Sequence, residues 1–116
     1  MSHLRHGDGF VERWRALSLV QQLGNVGSEI SRALKWRSRN PAIAQGALER
    51  ALELIDLTLD DPRHAGSVAR LREICRVRET LLDFFLAGNR YGWTEAALTR
   101  YFDSFAMAAA RARGVG

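Results

Sequence analysis

Apolar residues at Ala16, Leu19, Leu23, Val26, Ile30 and Ala33 follow one another at alternating intervals of three and four. That repeat places side chains along one side of an α-helix. It returns in Leu48, Leu52, Ile55 and Leu59, then in Leu71, Ile74, Cys75, Leu81, Leu82 and Phe85, and finally in Leu98, Tyr101, Phe102, Phe105 and Ala109. No stretch alternates apolar and polar residues with period two for long enough to give a strand one buried face, so the chain reads as all-α.

Punctuation divides these series into four helices, over about 9–37, 41–60, 63–87 and 94–112. Asp8 is placed to cap the amides of Phe10 and Val11, Asn40-Pro41 reads as N-cap and first helical residue, and Thr94 caps the last segment. The third helix starts at Asp61-Pro62 or at Ser67 and stops at Gly88-Asn89. Short connections between long helices favour antiparallel neighbours, and the expectation is a single up-down-up-down four-helix bundle spanning one domain, 1–116, with frayed ends at 1–7 and 113–116.

A chain of 116 residues that is 47% apolar can bury one core without staples. The single cysteine, Cys75, has no partner for a disulfide and sits on the apolar series of the third helix, where a thiol is inert packing. No apolar run approaches the roughly 18 residues that span a bilayer, and Met1-Ser2-His3-Leu4-Arg5-His6 lacks the apolar stretch of a signal peptide. A soluble, cytoplasmic protein without a membrane partner is expected.

The formal net charge is +4, and sixteen of the seventeen basic residues are arginine. Residues 1–39 carry +4, residues 40–62 carry −4, and residues 63–89 and 90–116 carry +2 each. One acidic helix between basic neighbours suggests intramolecular pairing at least as much as a nucleic-acid footprint. If the basic excess does bind RNA, the contacts are Arg32, Lys35, Arg37, Arg39, Arg72 and Arg76.

Gly24, Gly27 and Ser31 form a smooth strip along the first helix, which costs about 1 kcal/mol of propensity per glycine and is offset if a neighbouring helix approaches there closely. Polar residues are periodic as well. Gln22, Asn25, Glu29 and Arg32 line the first helix, Glu49, Glu53, Asp56 and Asp60 the second, and Arg72, Arg76, Glu79 and Asp83 the third. These are either solvated faces or the parts of a buried network. In the second reading, Asn25, Glu29, Arg32, Glu53, Asp56, Arg76 and Arg78 converge beside the small strip, where missing side-chain volume leaves room for charged groups.

Catalytic patterns are sparse. Di-iron bundles need Glu-x-x-His on two helices, whereas His3, His6 and His64 fall in the tail and a connection. Glu53-x-x-Asp56 faintly resembles one half of the carboxylate set with which all-helical nucleoside triphosphate pyrophosphohydrolases hold magnesium, but the third helix offers Glu79-x-x-x-Asp83 instead of the other half. Arginine followed four to six residues later by histidine, the mark of helical HEPN-type ribonucleases, is absent. No catalytic residue, metal ligand or cofactor is assigned.

The segments Gln22-Leu23-Gly24-Asn25-Val26-Gly27-Ser28-Glu29-Ile30, Arg50-Ala51-Leu52-Glu53-Leu54-Ile55-Asp56-Leu57-Thr58 and Tyr101-Phe102-Asp103-Ser104-Phe105-Ala106 carry a resemblance. Over roughly residues 17–112 the chain resembles a family of small uncharacterised bacterial and archaeal proteins. That family is similar in expected architecture to the four-helix bundles encoded in intervening sequences of 23S rRNA genes, which form ring-like oligomers. What the resemblance implies is a self-associating helical bundle with an RNA link, and it brings no catalytic residues.

Trp14, Trp36, Trp93 and Phe84 add to more aromatic and apolar surface than four helices readily hide. The functional expectation is therefore a non-enzymatic interaction module that assembles with itself, most often as a two-fold dimer, or with a protein partner. An RNA-associated basic bundle and a magnesium-dependent nucleotide hydrolase are the alternatives.

Overall fold

The structure, a computed structural model, describes residues 9–113, and every regular element among them is helical. Asp8, His3, His6 and most of the ends read as frayed lie outside the described residues. Six helices follow in order: α1 (Phe10–Arg15), α2 (Leu19–Trp36), α3 (Pro41–Leu59), α4 (Pro62–Ala65), α5 (Val68–Leu86) and α6 (Glu95–Ala112).

Local chemistry explains most of these boundaries. The predicted first helix is broken by a capping box: Gln21 donates its amide N–H to Ser18 Oγ at 3.2 Å, and the Ser18 amide donates to Gln21 Oε1 at 2.8 Å. The chain therefore stops at Arg15 and restarts at Leu19, although the apolar spacing runs through the break unaltered. Asn40 accepts from the Ile43 amide, Ser67 from Arg70 and Thr94 from Ala97, each opening a long helix. Both readings of the third helix hold in part, since Asp61-Pro62 starts the one-turn α4 and Ser67 starts α5.

Helix α2 is central, packed extensively against both α3 and α6. The small strip is what admits α6. A Cβ on Gly27 would stand 2.8 Å from Phe102 Cβ, and one on Gly24 would stand 3.5 Å from Ala106 Cα. At Gly24 and Gly27 the strip is thus filled by α6, while Ser31 is exposed, which corrects the expectation that the strip leaves space for charged side chains. Between the helices lies a core of Leu23, Val26, Ile30, Ile55, Ile74, Val77, Leu81 and Leu98. Full burial of each such aliphatic side chain stabilises the fold by roughly 1.5–3 kcal/mol relative to exposure.

Two sequence expectations about surface are overturned. Trp14 and Phe84 are buried, and Trp36 and Trp93 are half-buried, because long aromatic side chains fill the spaces at the helix ends. The exposed large apolar residues are instead Ile43, Val68, Leu86, Tyr91 and Met107. Cys75, expected within the core, is exposed because the inward side of α5 is carried by Ile74, Val77 and Leu81. Among the described residues no helix is long and apolar enough to cross a membrane.

Candidate docking site

Two buried carboxylates organise opposite ends of the long helices. Near the start of α2 and just past the end of α3, Asp61 is fully enclosed. Its oxygens accept from the Arg63 amide at 3.0 Å, from the Arg63 guanidinium at 2.6 Å and from Gln22 Nε2 at 3.1 Å. Gln22 also donates to the Trp14 carbonyl, and the Trp14 indole N–H donates to Thr58 Oγ1 at 3.1 Å, tying α1 to α3. His64 Nε2 lies 2.9 Å from Gln22 Oε1, so that nitrogen carries the proton. Its Nδ1 faces the Arg70 guanidinium at 3.4 Å.

The titration directions match this arrangement. The Arg63 side chain, with the Arg63 amide and Gln22, holds the Asp61 carboxyl well below the usual carboxylate range against the opposing effect of burial. Burial, with Arg63 and Arg70 nearby, pushes the His64 imidazole below its ordinary value despite the charge of Asp61. Every group in this network therefore finds its partner inside the protein, and the arrangement locks α1 and α4 onto the bundle.

The second carboxylate, Asp83, lies in the last turn of α5. Its Oδ1 accepts from the Arg90 amide at 2.7 Å and its Oδ2 from the Tyr91 amide at 3.1 Å. Its backbone carbonyl accepts from the Asn89 amide at 2.7 Å. Asn89 closes the loop by accepting from the Trp93 amide at 2.8 Å and donating to the Trp93 carbonyl at 2.7 Å. Gly88, Asn89 and Gly92 have φ of +79°, +52° and +71°, left-handed conformations that glycine and asparagine bear at least cost. The 87–94 turn is thereby fixed by side chains as well as by its backbone.

What this turn displays is Tyr91, which is 78% exposed. On either side of it lie two adjoining clefts of about 480 and 370 Å³ that share Glu79 and Tyr91. Leu82, Asp83, Ala87 and Arg90 line the first, and Arg76, Thr80 and Trp93 the second. Behind the second cleft, the Trp93 ring packs on Tyr101 with centroids 5.5 Å apart, and the Tyr101 hydroxyl donates to Glu73 at 3.1 Å. Burial, reinforced by the Glu73 charge, raises the Tyr101 phenol so that it remains a donor. Leu86, 60% exposed, borders a further dent of about 200 Å³ between α3 and α5.

The seven residues expected to converge do not form one network. Glu29 meets Arg32 at 3.2 Å and Arg50 at 3.4 Å on the α2–α3 surface, and Asp56 meets Arg78 at 3.4 Å between α3 and α5. Asn25 donates to the Gln21 carbonyl of its own helix, Glu53 is half-buried with no ion pair among the described residues, and Arg76 lines the second cleft. Apolar side chains and α6 occupy the middle of the molecule, which leaves charges at its rim, where such pairs contribute about 0–1 kcal/mol.

The basic residues are equally dispersed. Arg37 pairs with Glu95 at 3.2 Å and spreads its guanidinium over Phe84 and Phe85, while the Lys35 ammonium stands 5.7 Å from the Trp36 ring. Arg39, Arg72 and Arg76 are exposed and have no ion pair among the described residues. Among those residues, too, no three His, Cys, Asp or Glu side chains gather so as to hold a metal ion.

Sequence reasoning missed Gln22, Asp61, His64 and Asp83 as organising residues. Gln22 and Asp83 belong to polar stripes whose spacing leaves open a solvated face or a buried network, and both are buried. The helix-stop signal Gly88-Asn89 was visible, but nothing local showed that Asp83 would bind the amides beyond it. The chain matches no protein-family model, no curated protein and no solved structure.

Proposed function

We propose that the protein is a non-enzymatic helical interaction module that docks a protein partner, or a second copy of itself as a two-fold dimer, at the end formed by the 87–94 turn. The observation that carries this reading is Tyr91. It is held in solvent by a turn with three left-handed residues and a buried carboxylate, between two clefts of a size that accepts a side chain. A rigid, exposed aromatic loses little freedom on binding, which is why tyrosine is prominent among interface anchors.

In this reading α2, α3, α5 and α6 form an antiparallel up-down-up-down bundle in the cytosol. Contacts between helix ends support the topology: Gln22, near the start of α2, reaches Asp61 beyond the end of α3, and Arg37, beyond the end of α2, reaches Glu95 at the start of α6. The RNA and hydrolase readings have less support, since Arg32, Arg37 and Asp56 are engaged by Glu29, Glu95 and Arg78.

Light scattering at tens of micromolar, with capture on immobilised wild-type and Tyr91→Ala proteins, tests the proposal. The expected result is a dimer, or a retained protein, that the variant loses. A strictly monomeric wild type whose captured proteins are the same as the variant's refutes it.

A further inference from the structure

Resting on the docking reading above, we infer that the occupant of the clefts beside Tyr91 is an acidic peptide segment of a partner protein carrying one large apolar side chain. Charge is the first reason. Arg72 and Arg76 stand one turn apart on the exposed side of α5, Arg90 stands on the turn, and none has an ion pair among the described residues. Of the acids lining the clefts, Asp83 is buried with its oxygens committed to the Arg90 and Tyr91 amides, leaving Glu79 as the exposed one. The accessible charged groups that line the clefts are thus two guanidiniums, Arg76 and Arg90, against one carboxylate, with Arg72 one turn farther along α5, and guanidinium forks bind carboxylates in bidentate fashion.

Shape supplies the second reason. The Tyr91 ring, Leu82 and Ala87 give the larger cleft an apolar side, so a side chain of leucine or phenylalanine size fits between flanking acids. A nucleic-acid strand suits the site less well. Strands bind by stacking successive bases, yet Tyr91 is the only aromatic among the exposed large apolar residues described, and Trp93, which lines the second cleft, is half-buried and packs against Tyr101. Glu79 also lines both clefts, with Arg76 in one and Arg90 in the other, where its carboxylate can accept a peptide N–H.

The test is fluorescence anisotropy of the whole protein with a labelled nine-residue peptide, a central phenylalanine flanked by four acidic residues on each side. A lysine-flanked version and an eight-nucleotide oligouridine are run in parallel. The acidic peptide is expected to bind, to weaken with added salt, and to lose about tenfold or more in affinity with Tyr91→Ala and with the double variant Arg76→Glu, Arg90→Glu. Arg111→Glu, near the far end of α6, should leave it unchanged, and circular dichroism melts verify that each variant is folded.

Binding of the lysine-flanked peptide alone, in a Tyr91-dependent manner, overturns the acidic occupant while the docking site stands. Tighter binding of oligouridine through the same arginines overturns it in favour of nucleic acid, and a dimer abolished by Tyr91→Ala overturns it in favour of a second copy. If neither peptide binds and Tyr91→Ala behaves as wild type in light scattering and capture, the docking reading falls as well.

Discussion

Asp61 and Asp83 are both buried acids that accept backbone amides just beyond them, yet the ends they organise face opposite ways. At the Asp61 end the carboxylate is surrounded by Arg63, Gln22 and His64, and the nearby aromatic, Trp14, is buried with its indole N–H bound to Thr58. At the Asp83 end the carboxylate binds two amides of the turn, and the aromatic that follows points into solvent. One device serves closure in the first case and display in the second. The closed end surrounds its acid with side-chain partners, whereas the displayed end meets its acid with backbone amides.

The comparison is broken most severely at the closed end. Trp14→Ala removes a buried indole together with its hydrogen bond and should cost about 3–5 kcal/mol in urea unfolding. A loss under about 1 kcal/mol would mean that α1 is not locked to the bundle. Asp61→Ala leaves one buried Gln22 N–H unpaired and takes the carboxylate from the Arg63 guanidinium, which is partly exposed and keeps the Leu17 carbonyl, so we expect a loss of about 2–3 kcal/mol. Asp83→Ala frees two amides in a turn that water reaches, a loss of about 1–2 kcal/mol, and amide exchange should rise at Arg90 and Tyr91 while remaining slow near Gln22.

Acid distinguishes the ends further. His64 is neutral when folded and its proton affinity is depressed, so the unfolded chain takes up a proton first as pH falls through the ordinary histidine value of 6.5. Stability from this group is complete above that value and is lost below it, by at most about 1.4 kcal/mol per pH unit. Asp61 adds a second loss below its ordinary value of 3.8, since its folded carboxyl remains ionised there. Urea midpoints measured from pH 8 to pH 5 should fall for wild type and flatten for His64→Gln. The smallest effect is expected at the displayed residue, where Tyr91→Ala should change stability by no more than about 0.5 kcal/mol. A larger loss would identify Tyr91 as part of the fold and remove it as a docking anchor.

The sequence showed the two ends unequally. The four long helices were legible because spacing and caps agree at Asn40, Ser67 and Thr94, where a side chain binds an amide three residues on. The close approach at Gly24 and Gly27 was legible too, since a small strip with a propensity cost implies a neighbour. The break before Leu19 was written in Ser18-x-x-Gln21, but the apolar period passes through it in phase and masked it. The closed end was illegible because Gln22, Asp61 and His64 meet across 39 and 42 positions of sequence, and no local pattern marks a glutamine as a buried connector. The charged stripes misled for the converse reason: helical period places residues on a side of a helix without saying whether another helix covers that side.

The fit of Phe102 against Gly27 has a consequence for how the chain comes into being. Residues 27 and 102 are far apart in sequence, whereas α2 and α3 are joined by four residues, 37–40. During synthesis α2 can pair with α3 while its glycine groove still lacks an occupant, because α6 has yet to leave the ribosome. For that interval the nascent protein presents an apolar lane with exposed helix backbone, and only the emergence of α6, Glu95–Ala112, closes it. A stop codon shortly after Trp93 would make that interval permanent, so truncation there should yield a product that aggregates or is degraded, although most of the helical segments would be present.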